Sequence, residues 1–216
     1  MAQIFPQWTN KAPFYLLGGA FVELVLVVGL VWYYASPWNT DVGYRPVQPV
    51  PYSHKVHAGD MGMDCRFCHM GVETSPVAGI PPTQTCMSCH NMIKADSEKL
   101  KLVRESIATD TPLQWIRIHK LPDYVYFDHS AHITAGVGCE SCHGRIDQME
   151  VVSQRKPLSM GWCLECHRNP NDHLRPEEKI TAMGWTPPPN QAELAMSRIK
   201  DLNIAAPTTD CTGCHR

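Results

Sequence analysis

Five copies of the pattern Cys-x-x-Cys-His constrain this sequence more than any other feature, and they leave no cysteine over. The 216 residues include 10 cysteines, which form the pairs Cys65/Cys68, Cys86/Cys89, Cys139/Cys142, Cys163/Cys166 and Cys211/Cys214. The histidines that follow these pairs are His69, His90, His143, His167 and His215. The pattern attaches c-type haem, because two thiols bond the porphyrin as thioethers and the histidine ligates iron. The sequence therefore predicts five covalently bound c-type haems.

Three other uses of paired cysteines explain the pattern less well. Disulfide bonds do not require a histidine after each pair, and histidine makes up only 11 of the 216 residues. Structural zinc usually takes two Cys-x-x-Cys pairs for each ion, so an odd number of pairs does not suit it. Thioredoxin-like redox pairs follow a strand in a βαβ unit, and no such pattern surrounds these sites.

A long apolar segment near the N-terminus predicts a membrane anchor. Residues 14–35 carry a single charge, Glu23, and as a helix these 22 residues span about 33 Å, enough to cross the hydrocarbon core. Aromatic residues flank both ends, as they do at membrane interfaces. The segment is too long for the core of a signal peptide, so we expect an uncleaved single-pass helix. A removed signal sequence is the alternative.

The predicted location follows from the haem motifs. The few positive charges near the helix do not decide its orientation, but covalent haem attachment takes place outside the bacterial cytoplasmic membrane. We therefore expect a cytoplasmic N-terminal segment (residues 1–13), a transmembrane helix in the inner membrane (14–35) and a periplasmic part (36–216).

Glu23 is the one ionisable residue inside the predicted span. A charged carboxylate facing lipid costs about 2.5–3.5 kcal/mol on insertion scales, so Glu23 is expected to face a partner or to be protonated. A hydrogen bond between helices is the simpler interpretation, and a proton or quinol contact is the functional one. Gly18, Gly19 and Ala20 would let a neighbouring helix approach closely.

The periplasmic part contains an internal duplication. The proline-containing residues 36–53 are expected to form a stiff linker, and the pentahaem domain follows at 54–216. His54-x-x-His57 precedes Cys65 as His129-x-x-His132 precedes Cys139, at an offset of about 75 residues. Two similar units, at about 54–118 and 119–180, are followed by the fifth haem in 181–216.

The expected fold is mainly α-helical and irregular, with a core packed by haem. The clearest helical patterns cover residues 93–107 and 190–202. About 36 residues of the predicted periplasmic part are available for each predicted haem, too few to wrap each one separately. The haems are therefore expected to supply much of the core themselves.

Six histidines outside the motifs are candidates for the second axial ligand of iron. They are His54, His57, His119, His129, His132 and His173. Met160 is a further candidate, since a His/Met haem has a higher potential than a bis-His haem. Met92 has the spacing of such a methionine but is more readily explained by packing.

The anchor, the five motifs and the two His-x-x-His units resemble the pentahaem cytochrome c subunit of bacterial alternative complex III, and the repeats are similar to class III cytochromes. The resemblance implies that His54 and His129 ligate the haem attached just downstream, and that His57 and His132 ligate a different one. It also implies partners: an iron–sulfur subunit, quinol-binding membrane subunits, and a monohaem cytochrome c or terminal oxidase as acceptor.

The predicted function is electron transfer by a subunit that is not itself an enzyme. The formal net charge of −2, without a cluster of basic residues, gives no reason to expect nucleic acid. No hydrolytic triad or phosphate loop is present, so the cofactor carries the chemistry. Two alternatives remain open: a quinol dehydrogenase in its own right, like small anchored tetrahaem cytochromes, and a multihaem reductase of nitrite or similar oxyanions.

Overall fold

The computed structural model describes residues 4–203 and 207–215, and the chain divides into two compact units, Met1–Asp41 and Val42–Arg216. The described residues form short helices joined by irregular segments, without a named strand. Two isolated β-bridges pair Val125 with His215 and Val137 with Leu174. The predicted fold class, mainly α-helical and irregular, is confirmed. Residues 1–3 of the predicted cytoplasmic segment, together with 204–206 and 216 of the fifth-haem region, lie outside the described residues.

The first unit is built on helix α1, Ala12–Tyr34. Pro13 lies in its first turn, where the missing N–H has no intrahelical role, and the apolar residues that follow give a continuous helix of 23 residues. Among the described residues it is the one helix long and apolar enough to cross a membrane. It matches the predicted segment to within two residues. A 3₁₀ turn at Gln7–Asn10 precedes it, and a single helical turn, α2 (Pro37–Thr40), follows it.

In the second unit, each Cys-x-x-Cys-His motif lies on a short helix. These helices are α3 (Cys65–Cys68), α4 (Thr83–His90), α7 (Cys139–His143), α8 (Met160–Arg168) and α10 (Cys211–Cys214). Side chains fix the start of two of them: Asp64 Oδ1 accepts a hydrogen bond from the Arg66 amide at 2.9 Å, and Ser159 Oγ accepts one from the Trp162 amide at 3.4 Å. One helical turn is sufficient to place both thiols and the imidazole of a motif on one side of the backbone.

The two helices predicted from periodicity are found at different lengths. Helix α9 (Gln191–Asp201) agrees with the prediction of 190–202. The prediction of 93–107 was too long: a 3₁₀ turn at Glu98–Leu100 leads into α5, Lys101–Ala108. Lys94 adopts a left-handed conformation with φ of 55°, which a continuous α-helix does not accommodate. Helix α5 packs against α4 and buries Val103.

The proline-containing segment is only in part a free linker. Residues 42–53 belong to the second unit, where the Gly43 amide donates to Gln154 O at 2.8 Å and the Gln154 amide donates to Tyr44 O at 3.0 Å. The Gln48 side chain pairs with the backbone of Ile116 in both directions, at 2.8 and 2.9 Å. The expectation of a spacer over 36–53 is therefore corrected, because backbone and amide hydrogen bonds hold its second half on the haem-motif unit.

The two repeats pack against each other with approximate two-fold symmetry. The first His-x-x-His segment continues as a π-helix, Lys55–Asp60, and the second begins helix α6, His129–Ala135. The Lys55 amide donates to Met149 O at 3.0 Å. Its counterpart 75 residues later, the Ser130 amide, donates to Ser75 O at 3.3 Å, and Ser75 lies 74 residues before Met149. Each histidine segment thus packs on the loop that follows the other repeat's first haem motif.

Protein atoms alone bury few apolar side chains in the described residues. Seven aliphatic and methionine side chains are buried: Val50, Val72, Val103, Met149, Leu174, Ile180 and Ala195. A unit of this length normally buries most of its large apolar residues. The small number is in accord with haem supplying much of the core.

Candidate haem-binding site

Three imidazole pairs lie at the ring spacing expected for two ligands that share one iron. The ring centres lie 6.5 Å apart for His54 and His69, 6.2 Å for His57 and His90, and 6.1 Å for His132 and His167. With metal–nitrogen bonds of about 2 Å on each side, two imidazoles that share a metal have centres roughly 6 Å apart. Each pair joins a motif histidine to one predicted from the His-x-x-His units.

Six histidines of the attachment motifs and the His-x-x-His units have the tautomer that an iron ligand requires. In each, Nδ1–H donates to a backbone carbonyl, which can only accept, so Nε2 keeps its lone pair. The distances are 2.6–2.8 Å, and the pairs are His57 to Ser53, His69 to Gly79, His90 to Ile93, His129 to Pro76, His132 to Asp128, and His167 to Thr208. The backbone therefore orients these rings with Nε2 free for a metal.

Burial keeps several of these rings neutral, as ligands must be. Burial lowers the pKa of His54 to about 4, with a smaller contribution from His69. Burial also lowers the pKa of His143 to about 3, followed by repulsion from His119 and His129. The pKa of His132 is lowered for the same main reason. At neutral pH these imidazoles are uncharged and available to coordinate iron.

Two histidines compete for the position opposite His143. The His119 ring lies edge-on to His143 with centres 4.4 Å apart, which leaves no room for an iron between them. His129 contributes to the electrostatic environment of His143 and has its Nδ1 occupied by Pro76 O, so its Nε2 is free. The repeat offset makes His129 the counterpart of His54. His119 keeps a buried Nε2 without a hydrogen-bond partner, an atom that a metal would satisfy.

The fifth motif differs from the other four. His215 is stacked on a phenol ring, that of Tyr124, with centres 5.9 Å apart and an angle of 27° between the planes. The Tyr126 amide donates to Cys214 O at 2.7 Å, so the segment after His119 runs beside this motif. His173 ends a 3₁₀ turn, Pro170–His173, and Met160 begins α8 with an exposed side chain. Within the described residues, no ring contact joins His173 to a motif histidine.

An aromatic ring holds both histidines of each repeat in place. Tyr52 lies edge-on to His54 at 4.9 Å and stacks on His57 at 4.5 Å. Phe127 does the same for His129 at 4.8 Å and His132 at 4.7 Å. Both rings stand two residues before the first histidine, so their position repeats in the sequence, but their contact with both histidines was not predicted. The carbonyl partners of Nδ1 were not predicted either, because backbone groups leave no signal in a sequence.

Electrostatic interactions between the thiols of different motifs link the motifs in pairs. Cys65 hydrogen-bonds to Cys139, and this contact, together with burial, raises the pKa of the Cys139 thiol. Burial and then Cys86 raise the pKa of Cys68. The pKa of Cys142 is raised to about 12 by burial and then by Cys166 and Cys163. Burial and then Cys214 raise the pKa of Cys163. These links join the motifs in the order second, first, third, fourth, fifth.

A buried arginine lies beside the central motif and was not anticipated from the sequence. The Arg175 side chain is 6% exposed, its Nη1 donates to Ala182 O at 2.7 Å, and its Nη2 lies 3.5 Å from Glu140 Oε2. Its guanidinium carbon lies 5.0 Å from the centre of the Trp185 ring. Glu140 also accepts a hydrogen bond from the Gly184 amide at 2.8 Å. A paired positive charge is thus fixed against the third motif.

The donor set fits covalently attached haem. Each motif offers two thiols and an imidazole, and distal imidazoles with free Nε2 atoms stand opposite three of the five. Three buried ring nitrogens in the same cluster, His54 Nδ1, His119 Nε2 and His143 Nδ1, have no hydrogen-bond partner among the described residues. Bound there, haem iron supplies reversible one-electron chemistry.

Comparison with known proteins agrees with this site. Residues 35–120 match the class III cytochrome c family, and residues 125–216 match cytochrome c7 and related cytochromes c. The chain therefore belongs to the class III and c7-type multihaem cytochromes, which carry covalently bound c-type haems. It is similar, at 30% identity over 209 residues, to the multihaem cytochrome c subunit of menaquinone reductase from Nitratidesulfovibrio vulgaris. That alignment covers 92% of this chain and 91% of the relative.

Proposed function

We propose that this chain is the electron-relay subunit of a quinone-linked respiratory complex in the bacterial inner membrane. The observation that supports the proposal is the set of five attachment motifs, three of which have a second imidazole at the ring spacing that a shared iron would give. The homologous subunit of a menaquinone reductase supports the link to quinone. Helix α1 would anchor the chain with its N-terminus in the cytoplasm, and the second unit would lie in the periplasm.

The ligand set that we propose has five covalently attached haems. The ten motif cysteines hold the porphyrins and His69, His90, His143, His167 and His215 ligate the irons from one side. On the other side His54, His57 and His132 serve the first, second and fourth irons, as the ring spacings favour. His129 serves the third by its correspondence with His54. His119, His173 and Met160 are the candidates for the fifth.

Protein groups set the position and charge of these ligands. The backbone carbonyls at Ser53 and Asp128 hold the second histidine of each repeat, and Tyr52 and Phe127 fix the ring planes. Arg175 and Glu140 place an ion pair beside the third motif, so the loss of either partner would leave a net charge there and would shift the potential of its haem. The thiols of the second and fifth motifs each interact with one other motif, so these two motifs are the proposed contact points for redox partners.

The test is reduction by a quinol in the intact membrane complex. The complex extracted in mild detergent should show covalent haem on this chain after denaturation, and its haem should be reduced by a menaquinol analogue within one turnover. The chain purified without partners should keep its haem spectrum but should be reduced much more slowly. Rapid reduction of the isolated chain by the quinol would instead favour a quinol dehydrogenase in its own right.

Electron flow in the opposite direction is a second candidate, and the relative favours it, since that complex is described as a menaquinone reductase. The resemblance to alternative complex III implies quinol oxidation. Potentiometric titration of the haems against the quinone pool separates the two. Haem potentials mostly above that of the quinone support quinol oxidation by an iron–sulfur and quinol-binding assembly, with a monohaem cytochrome or oxidase as acceptor. Potentials below it support quinone reduction.

A further inference from the structure

Two adjacent cations, Arg155 and Lys156, flank the third attachment motif. A Cβ atom built at Gly144, the residue directly after the motif, would lie 3.0 Å from Cγ of Arg155, so the arginine covers this end of the motif. Burial raises the pKa of the Cys142 thiol to about 12, and Lys156 opposes that rise, so its ammonium group lies near this sulfur. The two charges therefore lie beside the histidine end of the motif.

The segment that carries these cations is fixed in place. Ser153, Gln154 and Pro157 are buried. The Gln154 side chain donates from Nε2 to Lys156 O at 3.0 Å, and Lys156 itself is half-buried. In the part of the chain that the structure describes, neither Arg155 nor Lys156 forms an ion pair with a carboxylate. A positive charge at this place is thus held near the motif without a compensating negative one.

The other charges around the third motif largely cancel. Arg145 Nη2 lies 2.7 Å from Asp147 Oδ2, and Arg175 Nη2 lies 3.5 Å from Glu140 Oε2. Each of these arginines is matched by a carboxylate of its own. The excess positive charge at the third motif therefore comes from the two adjacent cations.

The first motif, which is the counterpart of the third in the other repeat, has the opposite balance. Arg66 pairs there with two carboxylates, Asp64 at 2.9 Å and Glu73 at 3.2 Å, which leaves one negative charge in excess. The offset between the repeats is 74 residues at Cys139 and 77 at Cys163. Residues 78–82, which correspond to the two cations, carry no charge. The repeats thus present like motifs in unlike electrostatic surroundings.

Local charge affects how readily a haem accepts an electron. Reduction adds one negative charge, which a nearby cation stabilises and a nearby carboxylate opposes. The first and third irons have the same proposed ligands, two imidazoles each, so ligand type does not separate their potentials.

We propose that Arg155 and Lys156 raise the reduction potential of the haem at the third motif above that of the haem at the first, so that an electron shared by the two repeats resides mainly at the third motif. The inference rests on the proposed function, because it requires a haem at each of these motifs.

The experiment is a redox titration of the purified full chain, followed by electron paramagnetic resonance and fitted with five one-electron components. Lys156→Gln should lower the reduced-to-oxidised ratio of one component about tenfold at a fixed potential, a shift of about 59 mV for one electron. Lys156→Arg keeps the charge and should stay within twofold of the parent. Arg155→Gln should act in the same direction but less, because Arg155 is exposed. The absence of a shift in Lys156→Gln, or an equal shift in Lys156→Arg, would overturn the proposal.

A change of the opposite sign separates charge from structural damage. Glu140→Gln leaves Arg175 uncompensated and should raise the same component that Lys156→Gln lowers, while its amide oxygen can still accept from the Gly184 amide. A decrease in that component, or a change in a different one, would contradict the assignment. If Lys156→Gln does not fold, Glu140→Gln alone decides.

A matched lysine on the surface is the control for a general charge effect. Lys101 on α5 is exposed and lies 3.9 Å from Glu105, so Lys101→Gln should move no component by more than twofold. A shift as large as that of Lys156→Gln would overturn the proposal. The haem mass of the denatured chain and reduction of the complex by a menaquinol analogue test the proposed function separately. A chain that passes both tests but shows no shift in Lys156→Gln would refute this inference alone.

Discussion

Each repeat presents two histidines, an aromatic ring and a backbone carbonyl group, but the helix that carries the histidines differs between the repeats. In the first, His54 and His57 lie at the start of a π-helix, Lys55–Asp60, whereas in the second His129 and His132 lie in the α-helix His129–Ala135. Yet the second histidine of each donates Nδ1–H to the carbonyl four residues earlier, at 2.8 and 2.7 Å. The comparison teaches that the carbonyl partner and the aromatic ring fix the imidazole, and the type of helix does not.

The two repeats differ in the burial of the arginine ion pair beside their first haem motif. Beside the first motif, Arg66 pairs with Asp64 at 2.9 Å and Glu73 at 3.2 Å, with side chains about half exposed. Beside the third motif, Arg175 is buried against Glu140. The first arrangement is a solvated surface network, and the second is a charge fixed inside the unit. The five predictions that follow test these similarities and differences.

Removal of one attachment site has the largest expected effect. Cys163→Ser with Cys166→Ser in the second repeat, or Cys86→Ser with Cys89→Ser in the first, should each remove one haem, because the thioether bonds hold it. Mass spectrometry of the denatured chain should show a loss of one haem mass in both cases. An unchanged mass for either variant would contradict covalent attachment at that motif.

Loss of a distal histidine is the next largest change and tests the symmetry of the repeats. His57→Ala and His132→Ala should each convert one low-spin haem, about a fifth of the total, to high spin, because an iron loses its second strong ligand. The measurement is electron paramagnetic resonance of the oxidised protein. His173→Ala serves as the comparison, and a high-spin signal from it would identify the ligand of the fifth haem. No change in the first two variants would refute the proposed pairs.

The two charge networks should respond unequally. Arg175→Ala removes the buried guanidinium that pairs with Glu140 and donates to Ala182 O, and should lower the free energy of unfolding by about 2 kcal/mol, because Arg145 still lies 3.9 Å from the partly exposed Glu140. Arg66→Ala should cost less than about 1 kcal/mol, since its partners are solvated. Chemical denaturation of the haem-loaded protein, followed by near-ultraviolet circular dichroism, compares them. Similar losses of unfolding free energy in the two variants would contradict this difference between the buried and the exposed network.

The surface network should also show a pH dependence. Hydrogen bonding to Arg66 lowers the pKa of Asp64 from 3.8 to about 2. A carboxyl whose pKa is lowered on folding stabilises the protein above its unfolded value, so this contribution should disappear as the pH falls from about 4 to about 2. In Asp64→Asn the change in stability across this range should be smaller. A parallel pH profile for the two proteins would exclude the pair as its source.

Capping is the smallest expected difference. Asp128 Oδ1 accepts hydrogen bonds from the Ser130 and Ala131 amides at 2.8 and 3.4 Å, while its counterpart Ser53 accepts from the Val56 amide at 3.2 Å. Asp128→Ala should lower the unfolding temperature, and Ser53→Ala should lower it less, because a π-helix leaves fewer amides within reach. Thermal unfolding measures both, and a larger loss for Ser53→Ala would reverse the expected order.

The sequence allowed the motifs, the duplication and the long helix to be predicted, because cysteine spacing and hydropathy are local signals. The fold class is confirmed, and α1 and α9 lie where the patterns placed them. The pairing of His57 with His90 was implied only by resemblance to class III cytochromes and remains a proposal that the ring spacing supports. The order of motifs was not predictable, since it depends on how the repeats pack.

Three features escaped prediction for physical reasons. Residues 42–53 read as a linker because prolines indicate extended backbone, but they do not show that backbone hydrogen bonds hold the segment in place. The helix expected at 93–107 is shortened by the left-handed residue Lys94, which apolar periodicity does not register. Nothing in the sequence distinguishes Arg175 from an exposed arginine. In the structure it is buried, as are its neighbours along the chain, Leu174 and Ile180.

The scarcity of buried aliphatic side chains has a consequence for how the protein is made. Because the polypeptide alone buries few apolar side chains, the hydrophobic effect gives it little driving force to fold before haem is attached. Haem attachment and folding would then be coupled. Each attached haem would add apolar surface to the core, and the chain would fold as the haems are attached. A cell short of haem should accumulate little of this chain without haem, because proteases degrade unfolded chains readily.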